Sequence, residues 1–176
     1  MKILASQFRA ARGLLGVDQE VVAAWAGLDR RELSRWEAAK YKLFSDDAEN
    51  LTNAFKEHGV EFFAASHNHG AGVRWLKPGL RDRHRGIQFR AARAMANLSM
   101  RDLEDSCGAS RSFITRLERG KLGALNLVTL KKMESAFVKL KIEFVPEEDG
   151  FGAGVRWMVS DPYATETADE DKPAVT

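Results

Sequence analysis

The side chains in this sequence that could most readily do chemistry are arginines gathered in two short stretches. They are Arg30, Arg31, Arg35, Arg111 and Arg116. An arginine can donate two parallel hydrogen bonds to O6 and N7 of a guanine base, and it pairs well with phosphate. The net charge of +2 combines a basic body with an acidic tail, and the basic body favours a polyanionic partner only weakly. The arginine pattern therefore indicates binding more than catalysis.

The sequence offers little for catalysis, metal binding or cofactor binding. No nucleophile with an adjacent base, glycine-rich phosphate loop or catalytic carboxylate pair is evident. His67 and His69 lie in a predicted loop, but the equivalent loop later in the chain has Asp149 and Phe151. We therefore predict that the protein is not an enzyme and that it holds no cofactor and no metal.

The composition limits the classes of protein to which this chain can belong. The chain has 176 residues, 44% hydrophobic and 30% charged, which suits one compact domain or two small ones. No window approaches the roughly 18 apolar residues of a membrane span, and the first residues lack the pattern of a signal peptide. The single cysteine, Cys107, excludes a disulfide framework and a cysteine-based zinc site. We expect a cytoplasmic protein without membrane contact.

The sequence contains an internal repeat. The string QFRAAR at 7–12 returns intact at 88–93, and GAGVRW at 70–75 returns at 152–157. Two identical strings that bracket each half do not arise by chance, and the separation of the copies is that of a domain. The predicted organisation is domain 1 at 1–75, a basic linker at 76–86, domain 2 at 87–160, and a disordered acidic tail at 161–176.

Each half shows the same predicted order of elements. Apolar spacing predicts a first helix near Ser6–Leu15 and again near 86–96. Two short helices and a later helix follow. The predicted N-caps and helix-ending glycines are Asp18, Asp29, Ser99, Ser110, Gly27 and Gly108. Each half then ends in a β-hairpin, Val60–Trp75 or Ile142–Trp157. We expect the hairpins to share one antiparallel sheet, within one chain or between two, because an isolated hairpin leaves unpaired edges.

Residues Gln19–Glu37 have the spacing of a helix-turn-helix, in which the second helix is presented to the DNA major groove. Residues 100–118 repeat that layout. Both resemble the lambda-repressor/Cro-like (XRE) helix-turn-helix family. The residues that carry the resemblance are Gln19, Ala23, Gly27, Leu33, Ser34, Arg35 and Glu37, then Gly108, Ser110, Ile114, Thr115, Arg116, Glu118, Arg119 and Gly120. It covers most of 5–58 and 86–140.

The resemblance implies a fold class and a set of residue roles. The fold is mainly α with a small β component, in two tandem five-helix domains that each precede a hairpin. An arginine of the first helix pairs with a glutamate ending the third, here Arg12 with Glu37 and Arg93 with Glu118. The implied DNA-binding residues are Gln19, Arg30, Arg31, Ser34, Arg35, Lys40, Arg111, Ser112, Thr115, Arg116, Arg119 and Lys121.

Two functional hypotheses follow. The first is a bacterial, sequence-specific transcriptional regulator that binds double-stranded DNA, with two fused heads reading two half-sites. The alternative is a protein-binding anti-activator of the same fold that masks a regulatory partner. Further partners considered are RNA polymerase, another regulator, and a second copy paired through the β-hairpins.

The second half departs from the family pattern at Met100 and Glu104, and we expect Glu104 either to point outward or to pair with a nearby arginine.

Overall fold

Helices dominate the fold, and a small sheet joins its two halves. The computed structural model describes residues 1–42 and 44–164, which form eight α-helices and four strands. The first half contains α1 (Lys2–Leu15), α2 (Gln19–Ala26), α3 (Arg30–Glu37), α4 (Ser45–Glu57), β1 (Val60–Phe63) and β2 (Gly72–Trp75). The second contains a 3₁₀ turn (Arg83–Arg85), α5 (Gly86–Met95), α6 (Met100–Cys107), α7 (Arg111–Glu118), α8 (Leu127–Lys139), β3 (Ile142–Val145) and β4 (Gly154–Trp157). The expected mainly helical fold with a small β component is confirmed.

Each half has four α-helices within the described residues, not the five that the family resemblance implied. After α4 and α8 the chain turns in the left-handed region, at Gly59 with φ 85° and at Lys141 with φ 62°. The residues that follow are rich in Val, Ile and Phe, which favour strands. Strands β1 and β3 form where the sequence predicted the two hairpins, after the residues that the family resemblance covers. The first helix also begins earlier than predicted, at Lys2 rather than Ser6.

The short helices begin and end at the residues that the sequence indicated. Each predicted N-cap side chain accepts a backbone hydrogen bond from the first turn of its helix, namely Asp18, Asp29, Ser99 and Ser110. Gly27 and Gly108 end α2 and α6 with φ 67° and 71°, a conformation that costs glycine little. These caps fix a tight turn between the second and third helix of each half.

Helices α1 and α5 pack against each other at the centre of the molecule. A Cβ atom on Gly13 would lie 2.8 Å from the backbone of Ala91, so the close approach needs glycine. Arg9 donates to the carbonyl oxygen of Ala94 near the end of α5 at 3.0 Å. Arg90 donates in the same way to Gly13 near the end of α1 at 2.6 Å. Each half thus caps a central helix of the other.

The two hairpins form one antiparallel sheet with the strand order β1-β2-β4-β3. Strands β2 and β4 pair at the centre, where Val73 lies opposite Val155. Gln7 donates to the Gly72 carbonyl at 2.8 Å, and Gln88 donates to the Gly154 carbonyl at 2.7 Å. The expected joint sheet is confirmed in its intramolecular form. Equivalent contacts made by both halves give the chain an approximate two-fold symmetry.

The segment predicted as a basic linker packs onto the second half. The Asp82 carboxylate accepts backbone hydrogen bonds from Ile87 at 2.8 Å and Gln88 at 3.0 Å, which caps α5. Burial raises the pKa of Asp82 above its usual range, although these two hydrogen bonds oppose the shift. Arg85 pairs with Glu134 of α8. Asp82 and Arg85 of the predicted linker therefore help to orient α5.

The predicted acidic tail, 161–176, lies largely outside the described residues, which end at Ala164. Its first part is packed: the Tyr163 ring meets Trp157 edge-on, with ring centroids 5.6 Å apart. The folded part of the chain thus extends beyond residue 160, where the sequence had placed its end.

Replacing Gly154 with alanine should weaken the junction between the halves. A Cβ atom there would lie 2.1 Å from the Val73 carbonyl oxygen, so strands β2 and β4 would have to move apart. We expect the free energy of unfolding to fall by roughly 1–3 kcal/mol, as measured by urea unfolding. Gly123→Ala is the matched control, because no described atom lies within 4 Å of its added Cβ. Equal stability of the two variants would contradict the proposed role of this strand pair.

Candidate nucleic-acid interface

Two helix–turn–helix units carry the exposed arginines. In the first, Leu33 of α3 and Val22 of α2 are fully buried in the core, and α2 packs against α3. In the second, Ile114 of α7 and Leu103 of α6 take the same places. Because one side of α3 and α7 is buried, the opposite side of each helix faces solvent.

A buried ion pair anchors the end of each exposed helix to the central helices. Arg12 donates to both carboxylate oxygens of Glu37, at 2.7 and 2.9 Å. Arg93 donates to both oxygens of Glu118, at 2.6 and 2.7 Å. Both glutamates are only 3% exposed. This two-point geometry fixes α3 and α7 relative to α1 and α5. It also gives Arg12 and Arg93 a structural role.

The first unit presents a basic surface along α3. Arg30, Arg31, Arg35 and Lys40 are exposed, and Ser34 is half-buried. The Arg35 guanidinium lies 5.5 Å from the centre of the Tyr41 ring, a weak cation–π contact. Helix α3 ends at Glu37 although no glycine follows, because Ala39 adopts φ 55°. Arg35 thus lies in the last turn of a short, well-bounded helix.

Gln19 lies inside the ion-pair network. Its side-chain amide donates to Glu37 Oε2 at 2.8 Å, so this amide supports the carboxylate that Arg12 also binds. To contact a phosphate as expected, the Gln19 amide would have to give up its hydrogen bond to Glu37. In the second half Met100 takes this position, and its sulfur accepts a hydrogen bond from the Thr115 hydroxyl at 3.2 Å. Gln19 and Thr115, which were expected to contact DNA, thus form hydrogen bonds to other side chains of the protein.

The second unit presents a basic surface that is partly neutralised. Ser112, Arg116, Arg119 and Lys121 are exposed. Arg111 is exposed too, but its guanidinium pairs with Glu104 at 3.0 Å. Glu104 thus takes the second of its two expected arrangements, pairing with an arginine. An exposed pair of this kind is weak, so Arg111 can still exchange partners.

A basic cleft lies between the two units, and the sequence did not predict it. The cleft has a volume of about 510 Å³, and its arginines are Arg9, Arg12, Arg90, Arg93 and Arg119. Burial lowers the pKa of Arg9 and of Arg90 from its usual value. Four of these side chains come from the repeated QFRAAR string. The repeated string was the sequence signal for this cleft, but only the packing of α1 against α5 brings its two copies together.

The described part of the chain contains neither a metal-binding cluster nor a helix that could span a membrane. Residues 1–42 and 44–164 contain no group of three or more His, Cys, Asp or Glu side chains that could hold a metal ion. None of the helices in these residues has the length and apolar character needed to cross a bilayer.

Comparison with known proteins gives one finding. A family model described as helix-turn-helix matches residues 89–137, which run from α5 to near the end of α8. The match covers less than a third of the chain, and it makes this part of the second half similar to helix-turn-helix proteins. No curated protein and no solved structure matches the chain.

Proposed function

We propose that this protein is a sequence-specific transcriptional regulator that binds double-stranded DNA through two fused helix-turn-helix heads, each reading one half-site. The observation that carries the proposal is the exposed arginine face on the second helix of a helix–turn–helix unit. This arrangement occurs within the unit that matches the helix-turn-helix family, at Arg116, and again in the first half, at Arg35.

The case for a second head rests on equivalent contacts in the two halves. Both have the same order of helices and strands, the same buried arginine–glutamate pair, and the same glutamine hydrogen bond to the sheet. A two-fold dimer of single-head proteins reads two half-sites because its symmetry repeats the recognition helix. The approximate two-fold symmetry of this chain supports the proposal that one molecule reads two half-sites in the same way.

The proposed roles of the side chains follow from their positions. Residues in the first turn of α3 and α7 would approach base edges, and Arg35 and Arg116 would follow one turn later. Lys40, Arg119 and Lys121 lie beyond the ends of these helices and would contact phosphates. Arg9, Arg90 and Arg119 of the central cleft, which form no salt bridge in the described residues, add positive potential between the heads.

A salt titration of duplex-DNA binding tests this proposal. We expect the logarithm of affinity to fall linearly with the logarithm of salt concentration, with a slope of about −0.9 per phosphate contact. Lys121→Ala should make that slope shallower by about 1 while leaving sequence preference unchanged. Exposed Lys56, on α4, provides the matched control and should leave the slope as it is when changed to alanine. Affinity that does not depend on salt would contradict the proposal.

The anti-activator remains a second candidate, and one observation favours it for the second half. Glu104 neutralises Arg111, and Asp102 and Asp105 make the exposed side of α6 acidic. Such a face suits a basic protein surface better than DNA. If this candidate is correct, RNA polymerase or another regulator would bind the chain, and duplex DNA would not.

A further inference from the structure

A groove between α6 and α8 distinguishes the second half from the first. The groove has a volume of about 370 Å³, and its lining includes Ser106, Cys107, Val128, Lys131, Lys132 and Lys139. In the repeat, Ser106 corresponds to Trp25. The Trp25 ring stacks on His58 of the first half, with ring centroids 3.5 Å apart and planes 14° apart. An aromatic side chain thus covers in one half the position that a small serine leaves open in the other.

The surface beside this groove is apolar, with a basic rim. On α8, Leu127, Val128 and Val138 are 61%, 65% and 52% exposed. Lysines 131, 132 and 139 lie on the same helix and are exposed. Exposed apolar side chains next to a charged rim are typical of a surface that another molecule covers, and Val128 of this set lines the groove itself. The ligand that fits this surface is an aromatic side chain next to carboxylates.

The first half presents such a side chain. Phe44 is 74% exposed and immediately precedes α4, whose first turns carry Asp46, Asp47 and Glu49. Helix α4 is the counterpart of α8 in the repeat, so equivalent elements of the two halves carry opposite charge. Opposite charge and a shared apolar centre make the two surfaces complementary.

The fold separates these surfaces within one chain. Helix α4 packs on α2 and β1, whereas α8 packs on α6 and β3. Strands β1 and β3 form opposite edges of the sheet. Helix α4 and the α6–α8 groove therefore lie beside opposite edges of the sheet. Contact between them requires a second copy of the chain.

We propose that the protein self-associates head to tail, with Phe44 of one copy seated in the α6–α8 groove of the next and the acidic start of α4 against its lysines. This contact goes beyond the proposed DNA-binding function and does not depend on it. A head-to-tail contact leaves one groove and one Phe44 free at the ends of each assembly, so copies can add in series. Copies on neighbouring DNA sites would then bind cooperatively.

Sedimentation equilibrium of the full chain tests the proposal. The average mass of the wild type should rise above the monomer mass of 19.6 kDa as concentration increases, and added salt should reduce this rise. Phe44→Ala removes the inserted side chain, and Ser106→Trp fills the groove from within. Each variant alone should stay at the monomer mass. Val159→Ala, at an exposed apolar residue outside both surfaces, should associate like the wild type.

A mixture of the two variants gives the sharper result. Phe44→Ala keeps an open groove and Ser106→Trp keeps its Phe44, so an equimolar mixture should form a dimer and nothing larger. Thermal unfolding of each variant verifies that it is folded. A wild type that remains monomeric at all concentrations, or association that both substitutions leave intact, would overturn the proposal.

Alkylation of Cys107 reports on the groove directly, because this is the single cysteine of the chain and it lines the groove. Burial raises the pKa of its thiol, so the reaction is followed at mildly alkaline pH. The alkylation rate should fall with rising concentration of the wild type and stay constant for Phe44→Ala. If the wild type is monomeric and removal of residues 165–176 speeds alkylation, the acidic end of the same chain occupies the groove and the proposal is wrong.

Discussion

Replacing Glu118 with alanine should lower the free energy of unfolding by about 3–5 kcal/mol. Glu118 is 3% exposed and accepts two hydrogen bonds from Arg93, so its loss leaves a guanidinium in a partly buried site without its carboxylate. The variant also removes the side-chain link between the end of α7 and α5. Glu37→Ala should have a similar effect in the first half, where the Gln19 amide would lose its acceptor as well.

Urea unfolding monitored by circular dichroism measures this loss. Glu57→Ala serves as the control, because Glu57 is exposed on α4 and its removal should change stability very little. The double variant Arg93→Ala/Glu118→Ala should be more stable than Glu118→Ala alone, since no unpaired charge remains. If Glu118→Ala were as stable as the control, the ion pair would not hold α7 in place.

The double variant Arg35→Ala/Arg116→Ala should lose about 2–6 kcal/mol of binding free energy on a duplex selected from a random-sequence library. Each arginine is expected to supply one bidentate guanine contact, worth roughly 1–3 kcal/mol. The two lie in different halves and share no described partner, so their losses should add. Electrophoretic mobility shift titrations at fixed salt measure the effect, and thermal unfolding should show no change because both side chains are exposed.

The single variants separate the two functional hypotheses. Similar losses for Arg35→Ala and Arg116→Ala would indicate two reading heads. A loss for Arg35→Ala alone would assign the second half to protein binding, in line with the Glu104–Arg111 pair. Lys56→Ala removes a positive charge from α4 and should leave affinity on the selected duplex close to wild type. If neither arginine variant weakens binding while both remain folded, the proposed DNA interface is wrong.

Local features of the fold could be predicted because their causes are local. The N-caps at Asp29 and Ser110 and the turns at Gly27 and Gly108 depend on a few neighbouring residues, and the structure has them where the sequence indicated. The family resemblance misled in the number of helices, because each half has four α-helices in the described residues where five were implied. The runs rich in Val, Ile and Phe after α4 and α8 form the strands that the sequence predicted.

Long-range features could not be predicted in the same way. The sequence shows that Arg9 and Arg90 are equivalent, but only the packing of α1 on α5 reveals that each binds the backbone of the other half. Gln19 has the spacing of a surface residue, yet Glu37, distant in sequence, holds its amide. Side-chain partners of this kind depend on how separate helices meet, and helical periodicity carries no information about that.

The most direct test of two fused DNA-reading heads is the stoichiometry of binding to selected duplexes, measured at low protein concentration. Duplexes enriched from a random library should contain two half-sites separated by about one helical turn or a multiple of it. Titration by mass photometry should then show one chain per duplex, and changing either half-site should weaken binding. Enriched duplexes with a single half-site bound by one chain would contradict the two-headed account, and the absence of any enrichment would contradict sequence-specific DNA binding altogether.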